Sequence, residues 1–184
     1  MVRFSRFRAV CILTGATIIG LPNVASAAVQ GNLGAQSEGR VTINATVPNR
    51  VRLSGLSDIN LLNLDPSADA LSSQNVCVWS NTATRGYSIT ATGSGSASAF
   101  TLVAGGDTVA YSVEWASATG AQTGSALTAG NKGSGFTSTA THQLCSTGPT
   151  ASASLIVKLA SADLSGMQAG QTYTGTLTLL VEPE

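Results

Sequence analysis

Val76-Cys77-Val78-Trp79-Ser80 and, after residues 81–85, Gly86-Tyr87-Ser88-Ile89-Thr90-Ala91-Thr92 are the stretches whose reading decides the fold. Both are rich in β-branched and aromatic residues, the types that suit a pleated, half-buried surface. They read as two successive strands, the second ending in the tip Gly93-Ser94-Gly95-Ser96. Downstream, Phe100 to Val103, the turn Gly105-Gly106-Asp107 and Val109 to Trp115 read together as a β-hairpin. Residues 116–135 form a low-complexity Gly/Ser/Thr/Ala connection with a short strand near Leu127. Thr139 to Cys145 and Ser154 to Leu159 are two further expected strands, and Ala160 to Gly166 is the one expected helical turn. The run closes with Gln171-Thr-Tyr-Thr-Gly-Thr-Leu-Thr-Leu-Leu-Val181, in which Tyr173, Leu177, Leu179 and Val181 share a face.

Upstream, Asp65-Pro66-Ser67 signals a turn, and Val51-Arg52-Leu53 starts an extended piece running on toward Ile59 to Leu64. Pro48-Asn49 breaks that piece from Gly39-Arg-Val-Thr-Ile-Asn-Ala-Thr-Val-Pro48, because proline lacks the N–H that a ladder needs. There, Val41, Ile43, Ala45 and Val47 alternate with Arg40, Thr42, Asn44 and Thr46, the period of a strand with one buried face. Seven or eight short strands with turn signals between them predict an all-β, antiparallel sandwich of immunoglobulin type.

Residues 1–27 read as a cleaved signal peptide. Arg3, Arg6 and Arg8 make a positive start, Ala9 to Leu21 is mostly apolar, and Ala25-Ser26-Ala27 is a small-residue cleavage site. Cleavage removes three of the nine basic residues and none of the nine acidic ones, leaving a net charge of −3. So weak and scattered a charge does not imply nucleic acid or an anionic membrane as partner, and no segment after the leader is long and apolar enough to suggest direct membrane insertion. Cys11 leaves with the leader, and the remaining pair, Cys77 and Cys145, is expected to form one disulfide in an exported chain.

No constellation for catalysis stands out, so no enzyme activity, cofactor or metal is expected. Asn131-Lys132-Gly133-Ser134-Gly135 has Gly and Lys in the wrong order for a phosphate loop. His142, the only histidine, falls in an expected strand beside a cysteine rather than in a nucleophilic triad. Asp58, Asp65 and Asp69 cluster near one turn without calcium-loop spacing. Trp79, Tyr87, Tyr111 and Trp115 are expected in the core or between sheets, with a sugar-binding face as the alternative.

Two regions carry a family likeness. Arg40-Val-Thr-Ile-Asn-Ala-Thr-Val-Pro48-Asn-Arg-Val-Arg-Leu53 resembles the N-terminal extension and first strand of colonisation-factor pilins. Ala169-Gly-Gln-Thr-Tyr173-Thr-Gly-Thr-Leu-Thr-Leu-Leu-Val181 resembles the final strand of archaic, spore coat protein U-like pilins. The chain thus resembles non-classical subunits of the chaperone–usher pathway, although many of these carry a cysteine in the first strand and Val51 to Leu64 has none. The resemblance implies a sandwich lacking one strand, whose groove is filled first by a periplasmic chaperone and then, at an outer-membrane usher, by the N-terminal strand of a neighbouring pilin. It implies residues 28–48 as the extension and 49–184 as the pilin domain. Val41, Ile43, Ala45 and Val47 become the inserting residues, and Leu177, Leu179 and Val181 belong to the groove-flanking strand. Its function is then a structural fimbrial subunit at the cell surface. A self-contained exported sandwich that binds carbohydrate or coats the cell is the alternative, and its opening strand would pair within its own sheet.

Overall fold

The computed structural model describes residues 27–184; of the leader expected at 1–27, residues 1–26 lie outside that range. The chain divides into two units at Thr46–Val47. In the first, Val29 and Arg40 exchange backbone hydrogen bonds of 2.8 and 2.9 Å as an isolated antiparallel bridge.

The second unit is an all-β antiparallel sandwich with one short α-helix and one 3-10 turn at Ser96–Ser98. Its first sheet has the order β1-β2-β9-β6-β7, from Val51–Ser54, Ala70–Ser80, Ala153–Leu159, Ser112–Ala116 and Ser125–Leu127. Its second has the order β10-β3-β8, from Leu177–Pro183, Gly86–Gly93 and Lys132–Thr137. A separate hairpin pairs β4 (Thr101–Ala104) with β5 (Asp107–Ala110), and α1 spans Ser161–Leu164.

The alternation in β2 and β3 does what period two requires. Val76 and Val78 of β2 and Tyr87, Ile89 and Ala91 of β3 are buried in one apolar core with Val113, Trp115, Leu155 and Val157. Tyr87 stacks on Phe136 with ring centroids 5.9 Å apart, and meets Trp115 edge-on at 6.4 Å. Three of the four aromatics therefore serve the core, while Trp79 packs half-buried beside a smaller cluster of Cys77, Ala140 and Cys145. Cys77 and Cys145 are joined by a disulfide across a sequence separation of 68.

Several expected elements differ. Strand β2 begins at Ala70, earlier than the apolar run suggests, because its polar half (Ser72 to Asn75) pairs with β9. The strand expected at Thr139–Cys145 is a loop: Cys145 has a positive φ of 53°, and the Ser138 hydroxyl turns inward to bond the Val78 carbonyl. The supposed connection before residue 136 instead contains β8, whose glycines hid a strand that pairs with β3 through a bulge. Val109 to Trp115 splits between the hairpin and β6 of the first sheet. The piece expected to run from Val51 to Leu64 ends as strand at Ser54, where Gly55 adopts a φ of 84°.

Candidate functional site

One side of the sandwich is closed and the other is open. On the closed side, residues 128–131 carry the chain directly from β7 to β8, with Leu127 and Phe136 buried. On the open side, β1 and β10 are the outer strands of their sheets, as β7 and β8 are on the other side, and no strand among the described residues pairs with any of these outer edges. Val51 lies opposite Ser80 and Pro183 opposite Tyr87, and residues 81–85 turn from β2 to β3 at that end. The two edges therefore run in opposite directions. They approach each other there and leave a groove at the far end.

The groove has a volume of about 1000 Å³. Leu155, Val157 and Leu159 of β9 reach it with Tyr111, so it opens onto the core. One wall is Leu56–Leu64 and the other runs from Met167 to Leu179. Of the residues expected to flank it, Leu177 and Leu179 line it. Val181 shares their face but packs against the core at the end of β10 that lies beside β1.

The Leu56–Leu64 wall has no backbone ladder. Ile59, Leu61 and Leu64 pack on the core, yet Leu62 is 74% exposed. The wall is tied instead by the Gln74 carboxamide, which projects from the uncovered edge of β2. Its Oε1 accepts the Ser57 N–H at 2.8 Å and the hydroxyl at 3.1 Å, and its Nε2–H donates to the Ser57 carbonyl at 3.1 Å. A carboxamide carries both donor and acceptor, so one side chain here replaces a missing peptide partner. Nothing in the polar run Ser72 to Asn75 marked Gln74 for this role in the sequence.

Residues 41–47 belong to no strand, and Val41, Ile43 and Val47 are 73%, 86% and 78% exposed. The strand expected there is thus unpaired, because an extended segment becomes a strand only when a neighbour accepts its N–H and C=O groups.

The remaining candidates take ordinary structural roles. Asp65 accepts the Ser67 hydroxyl at 2.7 Å and its N–H at 2.9 Å, which hold its carboxyl below the usual range. Asp69 accepts the Ser161 N–H at 2.7 Å, with the same effect. Among the described residues no group of three or more His, Cys, Asp or Glu side chains could hold a metal ion. Nor is any helix among them long and apolar enough to cross a membrane. His142 lies in the exposed loop before Cys145, its Nδ1 accepting the Leu144 N–H at 3.2 Å. In comparisons with known proteins, no family model matches the chain and no curated protein matches it.

Proposed function

We propose that this chain is a structural subunit, major or minor, of a bacterial surface fimbria, polymerising by donation of residues 41–47 to the groove of a second copy or a related pilin. The observation that carries this reading is the pairing of a want with an offer. The body carries a groove that reaches down to the core residues Leu155, Val157 and Leu159 between the Leu56–Leu64 wall, which has no backbone ladder, and the Met167–Leu179 wall. The same chain carries an alternating apolar segment that is exposed and in no strand. Strand addition satisfies both, since main-chain bonds supply affinity and alternate side chains fill the groove.

The magnitudes are adequate. Burying two Val and one Ile at ~1.5–3 kcal/mol each, with a smaller gain from Ala45, contributes roughly 5–9 kcal/mol. Each new ladder bond adds about 1 kcal/mol net. Because the added strand also completes the receiving sandwich, its loss requires partial unfolding, which makes the joint kinetically durable. An immunoglobulin-like incomplete fold, export to the periplasm, a chaperone that covers the groove and an usher that exchanges it all belong to this reading.

A self-contained carbohydrate-binding sandwich draws less support, because Tyr87, Tyr111 and Trp115 are committed to the core. The test is deletion of residues 28–47. The truncated subunit should fold, be exported and bind its chaperone, yet form no fibres. Fibres assembled from it would sink the donor assignment.

A further inference from the structure

We propose that Asn81 fastens the root of the donated segment to its own sandwich, so that successive subunits are joined without a free hinge residue. The inference rests on the strand-donation reading above. Asn81 Oδ1 accepts the Arg50 N–H at 2.6 Å, and its Nδ2–H donates to the Pro48 carbonyl at 2.9 Å. Its own backbone N–H donates to the Arg50 carbonyl at 3.1 Å. These bonds continue the β1–β2 pairing past its last strand pair, Val51 with Ser80. The carboxamide acts as a peptide group would, offering acceptor and donors in one plane.

The local sequence agrees. Proline fixes its own φ and confines the preceding residue, Val47, to extended backbone. None of residues 48–50 has the positive φ that a three-residue hairpin reversal calls for. No glycine lies between Gly39 and Gly55, so none falls at the joint itself. In a fibre, the neighbour's groove holds residues up to Val47, and the subunit's own body holds Pro48 onward. A Gly/Ser joint at this point would act as a flexible coil. Here bending has to distort a hydrogen-bonded ladder, so the angle between subunits is fixed and the fibre is stiff.

The experiment compares wild-type, Asn81→Ala and Asn81→Asp fibres by electron microscopy, measuring persistence length, alongside the thermal midpoint of each monomer. Asn81→Ala should assemble and melt nearly as the wild type does, but its persistence length should fall about twofold or more as the joint loosens. Asn81→Asp keeps the acceptor for Arg50 and loses the donor to Pro48, so it should lie between. Equal stiffness of Asn81→Ala and wild type overturns the role of Asn81 and leaves strand donation standing. Absence of fibres from the wild type overturns strand donation itself. Should Asn81→Ala fail to assemble, exchange of the Arg50 amide in the monomer decides. It should be about fivefold faster than in the wild type, and an unchanged rate rejects the clamp.

Discussion

The indole Nε1–H of Trp115 donates to the hydroxyl oxygen of Tyr87 at 3.0 Å, joining the two sheets by a hydrogen bond inside the apolar core. Both side chains are fully buried, and burial raises the pKa of the Tyr87 phenol, so the bond is made to a neutral hydroxyl. Tyr87→Phe keeps the ring packing but leaves a buried N–H without its partner. It should cost about 1–3 kcal/mol in chemical denaturation, and a change below a few tenths would show that the bond contributes nothing.

The disulfide between Cys77 and Cys145 closes a long loop that ties β2 to the irregular segment after β8. Replacing both cysteines by serine should lower stability by about 4 kcal/mol on the chain-entropy account. Denaturant midpoints of the oxidised wild type and the double variant measure this directly. A loss under about 1 kcal/mol would mean the unfolded state is hardly constrained by the bridge.

Ile43 and Thr42 are neighbours on opposite faces of the alternating segment. On the strand-donation proposal, Ile43→Asp would place a charge against the leucines of the groove and should abolish subunit exchange, whereas Thr42→Asp on the outer face should slow it little. Fibre yield for the two variants is the readout. Equal effects would remove the alternation argument.

Glu114 accepts the Lys158 ammonium at 2.6 Å and the Gly124 N–H at 2.8 Å. Lys158 first, and Gly124 next, hold its carboxyl below the usual range. A depressed folded pKa contributes stability above the unfolded carboxylate value of about 4.3, and that stability is lost as pH falls through the lower folded value. The Tm gap between wild type and Glu114→Gln should therefore be full at neutral pH and narrow below about pH 4. A gap as wide at pH ~3 as at pH ~7 would contradict the ion-pair account.

The fold class was legible because its signals are local. Alternation in β2 and β3 and the closing Leu177–Val181 run each announce themselves within a few residues. What was illegible has physical causes too. Strand β8 is Lys-Gly-Ser-Gly-Phe-Thr, whose glycines carry no side chain to show a period. The polar half of β2 is a strand only because β9 lies beside it. Segment Thr139–Cys145 has strand-like composition, but the disulfide and the inward Ser138 hydroxyl hold it as a loop.

The sequence alone determined the all-β class and the apolar face of residues 41–47, because a period of two depends only on neighbours along the chain. It also determined the pairing of Cys77 with Cys145, given export. Only the tertiary structure decided which side of the sandwich stays open, that Leu177 and Leu179 but not Val181 line the groove, and that Gln74 and Asn81 take the place of absent peptide groups. Those outcomes depend on which strands sit beside one another, and that is set by contacts between residues far apart in the sequence.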